Sequence, residues 1–309
     1  MTCDIIIPTY NNSAVLPAAL AALFAQAIPG GCTVRLIVSD DGSTDNTLPC
    51  AARLDPPASW RPTCFVTGPH TGAAGARNRA LAYSSADLII LLGADIVLRP
   101  GALAAHLQFH AARPSARDAA LGLLKWDPRL RPTPLMEWMI HGGGQNDFDH
   151  LLGRTTADPR HFFYASHVSL KRAALGARRF PAVYRSYGWE DLDLGRTLAP
   201  HLTLHVLHAA LGLHHHFYTP SDICRRQFAV GQNLHLYQQR YPNTPLFPRR
   251  PSLHKLKHYL LATSGLLSLL SWWTSIIADK WSTPRLFSRI TALYFWQGVY
   301  NPGTLSPKV

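Results

Sequence analysis

The sequence has few charged residues, and acidic residues are the scarcer kind. Only 16% of its 309 residues are charged, and 18 Asp and Glu stand against 30 Lys and Arg, giving a net charge of +12. Hydrophobic residues make up 47% of the chain. Because disorder requires low hydrophobicity together with high net charge, this composition excludes a disordered chain. The length predicts one large domain or two small ones.

Several diagnostic motifs are also missing. The five cysteines are scattered and contain no C-x-x-C pair, which argues against a disulfide framework and a thiolate zinc site and suits a reducing cytoplasm. The sequence has no G-x-x-x-x-G-K-[ST] and no G-x-S-x-G, and residues 72–75 do not begin a G-x-G-x-x-G. These absences argue against a P-loop NTPase, an esterase with a nucleophile elbow and a dinucleotide-binding fold.

The basic excess consists mainly of arginine, which accounts for 24 of the 30 basic residues. Such a balance favours phosphate-bearing partners, namely nucleic acid, nucleotides or an anionic membrane face. The arginines are dispersed, and neither zinc-finger spacing nor an RNP-type aromatic motif is present. Nucleic acid is therefore the least favoured of the three partners.

Apolar runs alternate with helical patterns over the first hundred residues. The runs predict strands at 4–8, 34–38, 65–67 and 88–92, and the intervening patterns predict helices at 16–27, 44–53 and 75–83, with Asn12 or Ser13 as the first N-cap. Continuous apolar strands separated by helices indicate a parallel sheet covered on both faces. Ligands of such sheets bind at the carboxyl ends of the strands.

The rest of the chain is less regular. Residues 106–165 predict loops and short strands, and a Pro-rich boundary follows at 241–251. Residues 259–278 contain no charged residue and include two tryptophans, which predicts a helix packed on the domain or lying in a membrane interface, with a single membrane span as the alternative. We divide the chain into residues 1–105, 106–240 and 241–309.

Five motifs occur in a fixed order. They are IIIPTYN at 5–11, VSDDGSTD at 38–45, GAAGARNRAL at 72–81, LLGAD at 91–95 and WEDLDLG at 189–195. Over about residues 3–235 the chain resembles the inverting family-2 glycosyltransferases. The resemblance implies a GT-A fold, which is a Rossmann-like, mostly parallel α/β sheet with helices on both faces, here followed by a C-terminal helical extension. Its halves would bind the nucleotide-sugar (1–105) and the acceptor (106–240).

The second motif is where the resemblance places the nucleotide. Asp40 and Asp41 follow a strand, and carboxylates there can accept hydrogen bonds from a nucleobase imide and ribose hydroxyls. The neighbouring strand ends in Pro8, Thr9, Tyr10 and Asn11, which the resemblance adds to the same site. The alternative is that the Asp-Asp-Gly-Ser stretch only forms a turn.

Two further segments are candidates for the donor diphosphate. Gly75, Arg77 and Asn78 are predicted to open a helix, whose N–H groups and arginine would attract phosphate. Arg226 follows a histidine cluster and could close over the diphosphate, or it could lie on a solvated helix face or against anionic lipid.

The fourth motif suggests a metal ligand. Asp95 matches the last carboxylate of the family's Asp-x-Asp motif, whereas Gly93 replaces the first. A divalent cation, Mn²⁺ or Mg²⁺, can be held by one or two carboxylates together with donor phosphates and water. The resemblance implies a histidine that completes the shell, and His214 or His216 would supply it.

The last motif is where we place the reaction. An inverting transfer needs one carboxylate to take the proton from the acceptor hydroxyl. The resemblance assigns this role to Asp191, with Glu190 bonded to the acceptor and Trp189 forming an apolar wall under a sugar ring. The alternative is an acidic helix N-terminus stabilised by the helix dipole.

These observations predict an inverting, metal-dependent transfer from a nucleotide-sugar, with a UDP-sugar implied by the resemblance, to an acceptor hydroxyl. The acceptor would be a glycan or glycolipid of bacterial cell-surface polysaccharide or lipopolysaccharide synthesis. We expect a cytoplasmic protein, peripheral on the inner, anionic face of the plasma membrane. The competing hypotheses are a non-catalytic nucleotide- or glycan-binding module with a degenerate GT-A fold, and a basic membrane scaffold.

Overall fold

The computed structural model describes residues 1–141, 147–244 and 284–301. These residues form two compact units. The first contains residues 1–130, 147–185 and 190–216, and the described part of the second contains residues 131–141, 186–189, 217–244 and 284–301. The predicted membrane-associating stretch 259–278, and the Pro-rich boundary beyond Thr244, lie outside the described residues.

The first unit contains a nine-stranded sheet. Its strands are β1 (Thr2–Thr9), β2 (Thr33–Asp40), β3 (Cys64–Thr67), β4 (Leu88–Leu92), β5 (Ile96–Leu98), β6 (Asp118–Trp126), β7 (Thr156–Ala157), β8 (His167–Lys171) and β9 (Thr203–His214). Its α-helices are α1 (Leu16–Phe24), α2 (Thr47–Ala52), α3 (Gly72–Tyr83), α4 (Ala102–Ala112), α6 (Pro159–Phe162), α7 (Arg172–Leu175) and α8 (Glu190–Leu198).

The strand order is β3-β2-β1-β4-β8-β6-β9-β5, and β7 pairs with β9. β1 to β4 pair in parallel, as predicted. β8 is antiparallel to both β4 and β6, while β6 and β9 are parallel. All residues of β4 and five consecutive residues of β1 are buried, so the sheet is covered on both faces at these strands.

The first three predicted helices are present, but two begin elsewhere. α2 begins at Thr47 rather than at residue 44, and α3 begins at Gly72 rather than at Gly75. The predicted N-cap of α1 is wrong, because Val15 occupies that position without a side-chain cap bond. The Asn12 amide instead donates to Thr9 Oγ1, which ties the loop after β1 to the strand end.

The prediction of loops and short strands over 106–165 is wrong in part. An eleven-residue helix, α4, begins before this stretch, and nine-residue β6 crosses it. His106 and His110 of α4 are 1% and 2% exposed, respectively. Histidine made the helix pattern look polar, whereas both rings are buried and bonded to Ser169 Oγ.

The second unit is helical in its described part. It contains α5 (Pro134–Ile140), α9 (Pro220–Arg240) and α10 (Pro284–Tyr300). α9 begins at a capping box in which the Thr219 and Asp222 side chains each accept the other residue's backbone N–H. α9 and α10 approach closely at Gly231 and Gly298, where an added Cβ would lie 1.9 Å from Phe295 O and Phe228 O, respectively. None of the helices described in either unit has the length and apolar character needed to cross a membrane.

Candidate active site

The ends of β1 and β2 bring the first two motifs together. Thr9 pairs with Asp40, and the Asp41 N–H donates to Thr9 O at 2.9 Å. The Asp40 carboxylate accepts hydrogen bonds from Gly42 N, Ser43 N and Ser43 Oγ, and Thr67 Oγ1 lies 3.4 Å away. Only 2% of Asp40 is exposed. The Asp40 side chain therefore closes a turn within the protein, as the alternative interpretation of this stretch predicted.

Asp41 binds the start of α3. Its oxygens accept hydrogen bonds from the N–H groups of Thr71 and Gly72 and from Thr71 Oγ1, the shortest being 2.7 Å to Gly72 N. His70 Nδ1 is 2.9 Å from Asp41 Oδ2. Like Asp40, Asp41 is only 2% exposed. Direct contact of these two carboxylates with a nucleobase and ribose stays a prediction, and it would have to compete with the protein's own donors.

The loop after β1 exposes two predicted site residues, Tyr10 and Asn11, and Asn11 also bonds within the protein. Pro8 is half-buried and Thr9 is buried. Asn11 has φ 52°, in the left-handed region that Asn tolerates, and its Oδ1 accepts the Thr44 N–H at 2.8 Å. Tyr10 is 41% exposed, and its ring centroid lies 4.2 Å from that of His70. This ring contact could not be read from the sequence.

The helix α3, which carries the third motif, begins three residues earlier than predicted. Because α3 begins at Gly72, Gly75 lies inside its first turn, and the N–H groups of Thr71 and Gly72 bind Asp41. The predicted helix start at Gly75 is therefore wrong, whereas contact of Gly75 with a phosphate stays a prediction. An added Cβ at Gly75 would lie 2.1 Å from Thr71 Oγ1, so glycine is required there for packing.

Arg77 and Asn78 contact distant parts of the first unit. Asn78 exchanges two hydrogen bonds with the backbone of Phe180, at 2.7 and 2.9 Å. Arg77 is 7% exposed, its guanidinium carbon lies 5.2 Å from the Phe180 ring centroid, and its Nη1 is directed at the fifth motif. Contact of these two residues with a nucleotide stays a prediction.

Glu190 and Asp191 share Arg77. Nη1 of Arg77 lies 3.1 Å from Asp191 Oδ1 and 3.4 Å from Glu190 Oε1. The other Asp191 oxygen, Oδ2, accepts the Ala165 N–H at 2.9 Å. Both Asp191 oxygens are therefore held in a fixed orientation by groups outside its own helix.

Burial shifts the acidity of this pair. Burial and the neighbouring Asp191 charge raise the pKa of Glu190 to about 7, although Arg77 opposes the shift. Burial also raises the pKa of Asp191, again against the Arg77 charge. Two adjacent carboxyl groups with raised pKa values can hold and release a proton near neutral pH.

Two side chains support the start of α8. Asp193 is fully buried and accepts the Tyr184 hydroxyl at 2.8 Å. Gly195 packs where an added Cβ would lie 2.3 Å from Pro159 O. These contacts fix α8, and with it Glu190 and Asp191, within the first unit.

Asp95 lies between the two candidate histidines. His214 Nε2 is 3.0 Å from Asp95 Oδ2, and His216 Nδ1 is 3.8 Å from the same oxygen. Gly93 leaves room for this carboxylate, because an added Cβ would lie 2.9 Å from Asp95 Oδ1. The structure thus brings the three predicted metal ligands together at one oxygen atom.

This arrangement fits a divalent cation that is held jointly with a ligand. His214 Nε2 and Asp95 Oδ2 form a hydrogen bond of 3.0 Å. Two neighbouring ligands about 2.1 Å from an octahedral ion also lie about 3 Å apart, so an ion could replace this hydrogen bond without a large movement of either side chain. Among the described residues, no three or more His, Cys, Asp or Glu side chains are placed to hold an ion alone. Phosphate and water oxygens would have to complete the shell, and the metal site stays a prediction.

Two neighbours of these histidines were missed by the sequence reasoning. Trp126 stacks on His214 with centroids 4.8 Å apart and an interplanar angle of 9°. Asp127 is fully buried and accepts from His215 Nδ1 at 2.8 Å, and the His215 N–H donates to Asp95 O at 2.7 Å. The only sequence signal for them was the Trp-Asp pair at the end of an apolar run.

Trp189 and Arg226 belong to the second unit. Trp189 has φ 76°, an unusual value for a bulky residue, and its Nε1 donates to Val230 O at 2.8 Å. The Asn233 amide donates to the carbonyls of the three preceding residues, Ser186, Tyr187 and Gly188. The segment before the carboxylate pair is therefore fastened to α9.

Arg226 lies between two tyrosine rings. Its guanidinium carbon is 3.9 Å from the Tyr187 ring centroid and 4.7 Å from that of Tyr218, and its Nη1 bonds to the Tyr218 hydroxyl. A purely solvated arginine would lack these contacts, and a role at the diphosphate stays a prediction.

Solved structures similar to this chain share its fold. S. aureus TarS 1-349 in complex with UDP matches with a TM-score of 0.56 and 16% identity, over 97% of this chain and 90% of that one. The mannosyltransferase PcManGT from Pyrobaculum calidifontis, in complex with GDP-Man and Mn²⁺, matches with a TM-score of 0.58 and 17% identity, over 96% and 86%. The sheet and these likenesses define a GT-A fold with helices in its C-terminal region.

The sequence comparison identifies the family. The model of glycosyl transferase family 2 matches residues 4–175, which is more than half of the chain, and the chain belongs to this family. Validoxylamine A glucosyltransferase from Streptomyces hygroscopicus subsp. limoneus is 26% identical over 222 residues, covering 64% of this chain and 48% of the relative. The chain thus spans about half the length of this curated relative.

Proposed function

We propose that this protein is an inverting glycosyltransferase that moves a sugar from a nucleoside diphosphate donor to an acceptor hydroxyl. Membership of family 2 supplies the class of reaction. The observation that carries the proposal is the fixed Asp191 carboxylate, held by Ala165 N and Arg77 Nη1 beside Glu190. A general base needs such a defined orientation together with a pKa raised towards neutral pH.

The reaction follows from these groups. The acceptor oxygen attacks the anomeric carbon while Asp191 takes its proton, and the bond from that carbon to the diphosphate oxygen breaks with inversion. The nucleoside diphosphate leaves with the bonding electron pair. Glu190 can bond an acceptor hydroxyl, and the Arg77 charge favours the ionised form of Asp191 against the effect of burial, which raises its pKa.

Asp95 and His214, with His216 as a further ligand, would hold a Mn²⁺ or Mg²⁺ ion. When bound, the ion would supply positive charge to the departing diphosphate. In this chain, Trp126 orients the His214 ring, and Asp127 fixes the neighbouring His215. Such supports are needed for a ligand that must keep one geometry.

A UDP-sugar is our proposed donor, and a glycan or glycolipid of a bacterial cell surface is our proposed acceptor. The similar TarS structure contains UDP, and the similar mannosyltransferase contains GDP-Man. The net charge of +12 supports attraction to an anionic, cytoplasmic membrane face that presents a lipid-linked acceptor. Binding to anionic liposomes at low salt, lost at high salt, tests this location, and a protein that ignores such liposomes contradicts it.

The Asp191→Asn variant tests the catalytic assignment. We expect release of nucleoside diphosphate from the preferred sugar donor to fall at least about a hundredfold, with donor affinity nearly unchanged. The matched control is Asp55→Asn, at an exposed carboxylate, which should leave turnover unchanged. Near-normal turnover by Asp191→Asn would refute the assignment. A wild-type protein that binds donors but never turns one over would instead favour the non-catalytic binding module.

A further inference from the structure

The rings of Tyr10 and His70 contact each other beside the predicted nucleotide site. Tyr10 follows β1, and His70 lies in the loop between β3 and α3. Their ring centroids are 4.2 Å apart with an interplanar angle of 32°. Tyr10 is 41% exposed and the His70 side chain 53%. Both rings thus offer polar and apolar surface to a ligand at the edge where β1, β2 and β3 end.

Asp40, to which the sequence resemblance gives the recognition of the base, is far less accessible. It is 2% exposed, and three donors from Gly42 and Ser43 bind its carboxylate. A nucleobase could reach this carboxylate only by opening the turn that it closes. The half-exposed imidazole of His70 can accept a hydrogen bond without such a change.

Neighbouring groups position His70 and favour one tautomer of its ring. Asp41 Oδ2, which can only accept, lies 2.9 Å from Nδ1 and favours the hydrogen on that nitrogen. In the neutral ring Nε2 is then an acceptor, and within the described parts of the chain no hydrogen-bond partner occupies it. Gly42, with φ 80°, packs so that an added Cβ would lie 3.3 Å from His70 N. Tyr10 supports the imidazole face.

We infer that His70 is the specificity-determining residue for the donor base, and that its Nε2 accepts the ring N–H of the base's pairing edge. The inference rests on the proposed function, because it requires a nucleoside diphosphate donor. Uracil carries this group at N3 and guanine carries it at N1. Cytosine and adenine have an unprotonated ring nitrogen at the corresponding position, so two acceptors would face each other. The site therefore selects uracil or guanine against cytosine and adenine.

Calorimetric titration of the full chain with base-modified nucleotides tests this role. The probes are UDP, N3-methyl-UDP and CDP. GDP and N1-methyl-GDP are added to distinguish uracil from guanine. We expect wild type to bind UDP or GDP at least about tenfold more tightly than its methylated form, as loss of one hydrogen bond with an unpaired partner implies. His70→Phe keeps the ring contact with Tyr10 but removes the acceptor. It should reduce the methylation effect to less than about twofold.

His161→Phe is the matched control, since His161 is exposed on α6, and it should retain the full effect. His70→Ala provides a second test if phenylalanine does not fit. The inference is overturned if wild type does not distinguish the methylated nucleotide, or if folded His70 variants still distinguish it. Failure of wild type to bind any of these nucleotides would refute the nucleotide donor itself. That result differs from binding without discrimination, which refutes only the role of His70.

Discussion

Arg77 reaches from α3 to Asp191 at the start of α8, with its Nη1 3.1 Å from Oδ1. The motif around Arg77 predicts contact with the donor phosphate, whereas its hydrogen-bond partners in the described structure are the two carboxylates of the last motif. A positive charge at this distance favours the ionised form of Asp191. The base would therefore be available at a pH at which a buried carboxyl group alone would remain protonated.

The pH dependence of turnover tests this relationship. Arg77→Met removes the charge that lowers the pKa values of Glu190 and Asp191. Both pKa values should rise, and the acid limb of kcat/KM should move to higher pH. At pH 6.5 we expect kcat/KM to fall at least about tenfold, with partial recovery as the pH increases. The pH profile of donor hydrolysis measures the shift.

Arg160→Met, at an exposed arginine paired with Asp158, is the control and should leave the profile in place. An acid limb that does not move in folded Arg77→Met would show that the arginine does not set the protonation of the base.

The buried histidines of the first unit should make the protein sensitive to mild acid. Ser169 Oγ bonds to His106 and His110, and His106 Nε2 is 3.2 Å from His167 Nε2. Burial lowers the pKa of His106 and lowers the pKa values of His110 and His167 to about 4. The unfolded chain binds these protons near pH 6.5 and the folded chain does not. The free energy of unfolding should therefore decrease as pH falls from about 6.5 to about 4.

The expected slope is on the order of 1 kcal/mol per pH unit for each imidazole, measured by denaturant unfolding between pH 7.5 and 4.5. His110→Gln should make this slope shallower, whereas His161→Gln should not. A free energy of unfolding that is constant over this range would contradict the burial of neutral rings.

The close approach of α9 and α10 gives a prediction for the second unit. Gly298→Ala would place a methyl group 1.9 Å from Phe228 O. Since backbone atoms cannot move aside cheaply, the variant should lose about 1–3 kcal/mol of stability. Thermal denaturation measures the loss. Gly30→Ala is the control, because no atom lies within 4 Å of its added Cβ. Equal melting temperatures for the two variants would contradict the helix contact.

The stacking of Trp126 on His214 predicts an effect on metal affinity. Trp126→Leu frees the imidazole to rotate and should weaken Mn²⁺ binding in the presence of UDP by about tenfold. Electron paramagnetic resonance of free Mn²⁺ measures the affinity without requiring turnover. Trp126→Phe retains a stacked ring and should bind nearly as wild type does. If Leu and Phe behave alike, the ring does not orient His214.

Some of this architecture could be predicted from the sequence. β4 is an uninterrupted apolar run, β1 and β2 contain the apolar runs 5–7 and 36–38, and the burial of these residues confirms the predicted strands. His214, the last residue of β9, and His216 were predicted as alternative ligands of one site, and both approach Asp95. In these cases residues close together in the sequence were sufficient for the prediction.

The remaining features depend on contacts between distant residues. Arg77 lies 114 positions from Asp191 and Asn78 lies 102 from Phe180, so neither partner could be read from the motif around α3. α4 was missed because histidine is normally counted as polar, whereas His106 of α4 is buried against His167 of β8. A local pattern cannot show which polar side chain finds a buried partner.

We propose that Asp191 acts as the base of an inverting transfer. The anomeric configuration of the released sugar tests this mechanism most directly. With an α-linked UDP- or GDP-sugar and no acceptor, water takes the place of the acceptor hydroxyl. Time-resolved proton NMR should show the β-anomer first, before mutarotation, and Asp191→Asn should show neither anomer above background. Initial appearance of the α-anomer, or unchanged release by Asp191→Asn, would contradict the account.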